Sequence, residues 1–145
     1  ILDRFRIKET KNDLLEWHKL CKRKEEIKNQ VEIAIVGKYV SLKDAYISIY
    51  EALNHAGIHL DTKINIRWID SKDLENKNYA DKLVGINGVI IPDGFGHGGI
   101  EGKINAIKYA RENNIPLFGI CLGMQLMVVE FRGGDRQCAS CVSKW

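Results

Sequence analysis

Cys121 stands in the stretch FGICLGMQ, with Gly119 two residues before it and Gly123 two residues after. A thiol is a nucleophile when it is ionised and reachable. The spacing Gly-x-Cys-x-Gly is that of a nucleophile elbow, in which a strand passes into a helix through a turn that crowds its own backbone. Small residues on both sides give that turn room. A helix beginning at the sulfur favours thiolate over thiol, and its first backbone amide, on Leu122, is placed to receive the charge that develops on a carbonyl oxygen under attack. Such a group performs acyl transfer. The competing reading is packing, because free cysteine is among the most buried residue types. Two glycines flanking the sulfur where a strand meets a helix favour the nucleophile.

A second glycine-bearing segment, PDGFGHGG (residues 92–99), also follows an apolar run. It supplies a second backbone donor for the oxyanion, and Phe95 supplies an apolar wall. A thiolate mechanism also needs a base, typically a histidine oriented by a carboxylate. His18 and His55 fall in helical segments and His59 just past a helix stop. His97, in the glycine-rich loop, is the nearest candidate, although loop residues beside an elbow more often shape the entrance.

The remaining chemistry-bearing residues say less. Cys138 and Cys141 form one C-x-x-C pair without a second pair, so neither a zinc site nor a redox site is expected, and no metal is assigned. GKYVS after the first apolar run (Gly37 to Ser41) is neither a dinucleotide nor a triphosphate cradle, which leaves Lys38 as a structural or solvated residue.

The elements that must position Cys121 follow from the apolar pattern. VEIAIVGKY, from Val31, is a β-branched run of the kind found in a strand covered on both faces. Residues 41–57 place Leu42, Tyr46, Ile49, Tyr50 and Leu53 at helical spacing, with Ser41 as N-cap and Gly57 as stop. KINIRWI (63–69) and INGVII (86–91) read as strands with a short helix within 71–84 between them. Residues 98–114 carry Ile100, Ile104, Ile107 and Ala110 on one face and Glu101, Lys103, Lys108 and Glu112 elsewhere, the pattern of a surface helix. IPLFGI (115–120) is a fourth strand, with a helix directly behind it. This alternation predicts an α/β fold, a parallel sheet sandwiched between helices. In such sheets ligands bind outside the carboxyl ends of the strands, where both glycine-bearing loops fall.

Composition bounds the rest. The chain has 145 residues, 45% of them hydrophobic, and a formal charge of +3. That is one domain's length with a mixed, solvated surface, giving no reason to expect a nucleic-acid or membrane partner. No apolar run reaches the roughly 20 residues of a membrane span and no signal-peptide order opens the chain, so a cytoplasmic protein without structural disulfides is expected.

Taken together, VEIAIVGKYVSLKDAYISIYEALNHAGI, WIDSKDLE and GVIIPDGFGHGGIEGKINAIKYARENNIPLFGICLGMQLMVVEF resemble the glutamine amidotransferase domain of the CTP synthase family. GICLGMQ alone indicates a class I glutamine amidotransferase; with GKYV, DAY and GIEGK it is narrower. The resemblance implies a flavodoxin-like amidotransferase fold, incomplete at the C-terminus: residues 1–30 as the end of a synthetase domain and its linker, 31–131 as a partial amidotransferase domain, and 132–145 as a divergent tail. It implies that Cys121 attacks the side-chain amide of L-glutamine, forming a glutamyl thioester and releasing ammonia. Gly94, Phe95, Leu122, Gly123, Met124 and Gln125 match the family's glutamine and oxyanion positions. In the longer parent, expected to be a homotetramer, ammonia passes to a synthetase domain that aminates UTP to CTP with ATP and Mg2+, and GTP acts as effector; no cofactor is implied for these residues.

Three departures accompany the resemblance. Asp93 replaces a glycine usual in the loop, which would cost energy at a positive φ and would place a carboxylate near the thiolate. Gly98 stands where many relatives carry Arg. After Phe131 the text RGGDRQCASCVSKW leaves the family pattern without the expected catalytic histidine and glutamate, so little glutamine hydrolysis is expected of the chain alone, and an uncovered sheet edge is expected to favour association. The alternative from another class is a non-catalytic, flavodoxin-like binding or regulatory module with a packed or redox-sensing cysteine.

Overall fold

The computed structural model describes residues 3–8, 13–94 and 98–132. The sheet has four parallel strands: β1 (Asn29–Gly37), β2 (Thr62–Asp70), β3 (Gly88–Ile91) and β4 (Leu117–Gly119), in the order β2-β1-β3-β4. Its helices are α1 (Leu15–Glu26), α2 (Ile47–His59), α3 (Ile100–Glu112) and α4 (Leu122–Phe131). The expected α/β architecture, helices around a parallel sheet, is therefore the one observed.

Strand alternation builds two unequal layers. Ala34 and Val36 of β1, Ile69 of β2 and Val89 and Ile91 of β3 point to one face, where they meet Ile107 and Ala110 of α3 and Leu126 of α4 in the main core. Ile35, one residue out of step, points to the other face and is also fully buried. That second face is covered by α2, which packs on β2. Each fully buried Leu or Ile contributes roughly 1.5–3 kcal/mol. The layer holding more of them, under α3 and α4, is the one that fixes the strand ends.

The short helix expected within 71–84 is instead two 3-10 turns, Ser71–Leu74 and Tyr79–Leu83. Leu74 and Leu83 are both fully buried. Nine positions apart in a helix of about 3.6 residues per turn, they would face opposite ways. Two turns with a break between them let both leucines enter one core. Arg67 of β2 secures the second turn, donating to the carbonyl oxygens of Lys82 at 3.0 Å and Val84 at 2.8 Å and pairing with Glu32.

The expected N-cap at Ser41 and stop at Gly57 are also corrected. α2 begins at Ile47 after a 3-10 turn over Lys43–Tyr46. Tyr46 sets that start: its ring stacks on Trp68 with centroids 6.1 Å apart, and its hydroxyl accepts from the amide of Tyr39. Gly37 leaves it space, since a Cβ there would lie 2.5 Å from the Tyr46 hydroxyl. Gly57 lies inside α2, where a Cβ would approach the Thr62 carbonyl oxygen to 2.5 Å. It permits close packing on β2, and the chain turns only at Asp61, which adopts a φ of 47°. Arg23 of α1 holds that turn, donating to both Asp61 carboxylate oxygens and to the His59 carbonyl.

Among the described residues β4 is an edge strand, and its Phe118 is 63% exposed. Beside it an open apolar groove of about 200 Å³ is lined by Ile33, Leu53, Ile90, Pro116 and Phe118. Among the described residues no helix is long and apolar enough to cross a membrane.

Candidate active site at the carboxyl ends of the strands

Strand order reverses between β1 and β3, because β2 lies on one side of β1 and β3 and β4 on the other. At such a switch point the connections part and leave a crevice above the strand ends. Lys38 follows β1, Pro92–Gly94 follow β3, and Ile120 and Cys121 follow β4. The loops singled out from sequence are thus on one rim.

The elbow at Cys121 is built by backbone crowding. Ile120 donates its N–H to the carbonyl of Ile91 at 2.9 Å, extending the β3–β4 pairing by one residue. The chain then turns at Cys121, whose φ of 51° and ψ of −108° are sterically unfavourable for a side-chain-bearing residue. Gly123 closes the turn by donating to the Ile120 carbonyl at 2.9 Å, and α4 starts at Leu122. Neither flanking glycine has room for a side chain. A Cβ on Gly119 would lie 2.6 Å from the Gly123 carbonyl carbon and the Met124 nitrogen, and one on Gly123 would overlap the Ile91 carbonyl oxygen. Cys121 itself is exposed. The result is a reachable sulfur, held by a strained turn at the start of a helix, where the first amides have no carbonyl partner within the helix itself.

Of the other residues assigned from sequence, Gly94 is buried, Leu122 half-buried, Gly123 buried, and Met124 and Gln125 exposed. All lie on the loop after β3 or the first turn of α4. Phe95 and His97 lie outside the described residues, as do Cys138 and Cys141. His18 lies on α1, and His55 and His59 lie on α2, so His59 ends the helix rather than following it. Asp93 is exposed and is not among the positive-φ residues, so its replacement of glycine brings no backbone strain of that kind. Gly98 has the Lys72 Cε and the Lys38 Nζ within reach of a Cβ, at 3.4 and 3.9 Å.

The reading of Lys103 as a surface residue is overturned. It is 1% exposed, and its Nζ donates to the Pro92 carbonyl oxygen at 3.4 Å. Burial is the main cause that lowers its pKa; Asp93 raises it and Lys38 lowers it further. The signal was present in the spacing. Lys103 lies three residues after Ile100 and four before Ile107, which places it on the apolar stripe of α3. Lys38, read as structural, stands at the switch point, near enough to Gly94 that a Cβ there would lie 4.0 Å from the Lys38 Cβ. Among the described residues no group of three His, Cys, Asp or Glu could hold a metal ion.

Comparison with known proteins identifies the family and the fold. The family model described as glutamine amidotransferase class-I matches residues 41–139. A CTP synthase of Halalkalibacterium halodurans is 54% identical over 119 residues, covering 82% of this chain and 22% of that protein. A CTP synthase of Methanococcus maripaludis is 49% identical over 137 residues, covering 90% of this chain and 26% of that protein. The chain thus spans about a quarter of the length of these relatives. Among solved structures, the glutaminase domain of the Trypanosoma brucei enzyme with bound acivicin superposes with a TM-score of 0.66 at 40% identity, covering 72% of this chain and 41% of that one. With the strained cysteine elbow, the paired glycine loops and a family match over most of its length, this chain belongs to the class-I glutamine amidotransferases and is similar, among them, to the amidotransferase part of CTP synthases.

Proposed function

We propose that this chain is the glutamine-hydrolysing part of a CTP synthase, with Cys121 as the nucleophile. The thiolate attacks the side-chain carbonyl carbon of glutamine, a C–S bond forms, and the carbonyl oxygen takes up the electron pair. The backbone amides of Leu122 and Gly94 receive that charge, and Gly123, Met124, Gln125 and Phe95 complete the glutamine pocket. The C–N bond then breaks, the nitrogen takes a proton and leaves as ammonia, and water cleaves the thioester to return glutamate and the thiol.

Ammonia is supplied to a synthetase domain, which uses it to aminate UTP with ATP. ATP and magnesium are the cofactors of that domain. The histidine and glutamate that the family uses to move protons have no recognised counterpart among these 145 residues. A protein of these residues alone is therefore expected to form the covalent adduct far more readily than to turn over glutamine.

The observation that carries the reading is the Cys121 turn, exposed, at a φ of 51°, between two glycines with no room for a side chain. Such strain is maintained where surrounding packing enforces it, and a merely packed cysteine has no use for it. Incubation with a chloroketone analogue of glutamine, followed by peptide mass spectrometry, tests it. The adduct is expected on Cys121, with protection by excess glutamine. Equal labelling of all four cysteines, or no protection, would overturn the assignment.

A further inference from the structure

We propose that Lys103 is a positioning residue of the oxyanion loop: its buried ammonium, reaching out of α3, holds the Pro92–Gly94 backbone in the conformation that presents the Gly94 amide. The proposal deepens the thioester reading and rests on it.

Lys103 and Ser71 are the buried polar side chains among the described residues, and Lys103 is the charged one. Burying an ammonium is costly unless its protons find acceptors, and an apolar side chain of similar volume would fill the same space without that cost. The amine is placed where it acts on one loop. It donates to the Pro92 carbonyl at 3.4 Å, and Gly94 packs directly on it, since a Cβ there would lie 3.0 Å from Nζ. Gly94 therefore has no side chain because the ammonium occupies that side of its backbone.

The charged groups acting on it are Asp93, from the same loop, which attracts it, and Lys38, from the end of β1, which repels it. Attraction to Asp93 draws the loop toward α3 from the residue next to Gly94, while the bond to Pro92 fixes the residue before. The two residues that precede the donor are thereby tied to one cation. Lys103 does not touch the reacting atoms and acts through Gly94. Its depressed pKa means that this tie weakens at lower pH than for an ordinary lysine.

The test compares wild type with Lys103→Met across a pH series, using the chloroketone analogue of glutamine and iodoacetamide. The chloroketone places its carbonyl oxygen in the oxyanion position as the C–S bond forms and chloride leaves; iodoacetamide reads thiol reactivity without needing that position. Removing a whole oxyanion donor costs about 100–1000-fold, so a donor left in place but loosened is expected to slow chloroketone labelling by about 10-fold or more. Iodoacetamide rates should change by less than about 2-fold, and the wild-type ratio of the two should fall as pH rises through the depressed lysine range, while the variant's stays flat. Equal ratios in both proteins at every pH would overturn the proposal.

A second measurement needs no variant. In a 13C-detected spectrum of the wild-type protein, the Pro92 carbonyl carbon is expected to shift with an inflection below the ordinary lysine value. Absence of that inflection would show that Lys103 does not hold the loop. If the chloroketone fails to select Cys121, the thioester reading falls, and the Pro92 inflection still reports whether the ammonium holds the loop.

Discussion

The α-carbon of Gly123 sits so close to the carbonyl group of Ile91 that a Cβ built on it would overlap the oxygen and approach the carbon to 2.9 Å. One contact thus ties the first turn of α4 to the end of β3, which places the Cys121 elbow beside the Pro92–Gly94 loop.

Gly123→Ala separates helix propensity from this contact. Alanine in place of glycine within a helix contributes about 1 kcal/mol. Forcing a methyl group into filled space costs about 1–3 kcal/mol, and here the obstacle is backbone, which cannot rotate away. The contact is expected to win, lowering stability by about 1–2 kcal/mol in a urea titration and slowing chloroketone labelling of Cys121. A variant as stable as wild type would show that α4 does not press on β3.

The backbone at Cys121 offers a comparison between two substitutions that both remove the thiol. Cys121→Ala keeps the Cβ and hence the strain of the 51° φ, whereas Cys121→Gly relieves it. Relief of about 1–3 kcal/mol, reduced by about 1 kcal/mol for the greater freedom of glycine in the unfolded chain, leaves the glycine variant more stable by about 1 kcal/mol. Paired urea titrations check the order. An alanine variant at least as stable as the glycine one would mean that the turn stores no strain.

Lys103 also gives a pH dependence with a definite sign. Its folded pKa lies below its unfolded value, chiefly because of burial, so the unfolded chain binds more protons between the two values. Stability therefore rises with pH through the interval below the ordinary lysine pKa, and the charged form costs stability at neutral pH. Lys103→Met is expected to unfold at a higher temperature than wild type at pH 7, with the gap narrowing toward alkaline pH. Calorimetric melting curves of both proteins across that interval measure it, and a gap that widens would contradict the assigned direction.

The Arg23–Asp61 pair ties α1 to the end of α2, with nitrogen–oxygen distances of 2.6 and 2.8 Å. The guanidinium's hydrogen bond is the main cause that holds the Asp61 carboxyl below its usual range. A depressed carboxylate adds stability above its unfolded pKa and loses it as pH falls through its folded pKa, so α1 should loosen on the acid side. The pair is exposed, and salt should weaken it as well. Amide hydrogen exchange over residues 15–26 is expected to quicken at acid pH and at high salt, and Arg23→Ala should remove both dependences. Unchanged exchange in that variant would mean that apolar contacts alone dock α1.

Sequence reading was strongest where one local rule acts alone. The strand at β1, the alternation of strands and helices, and the glycine spacing about Cys121 each follow from a period or a turn requirement that neighbours in the chain enforce, and the structure shows all three. It was weakest where a side chain's fate depends on a distant partner. Residues 71–84 look helical in composition, but Leu74 and Leu83 share one core only if the helix is broken. Tyr46 looks like one more apolar position on a helix face, yet its contacts with Gly37, Tyr39 and Trp68 delay the start of α2.

The amino-acid sequence by itself determined the turn at Cys121 and the order of elements around it, because those depend on residues within a few positions of one another. Tertiary structure alone decided that the loops after β1, β3 and β4 share a rim and that Lys103 lies beneath Gly94 rather than in solvent. Charge in a sequence predicts exposure because water solvates ions better than protein does. That preference is overridden only where folding brings an acceptor such as the Pro92 carbonyl to the buried ammonium, and no local pattern records which carbonyl that will be.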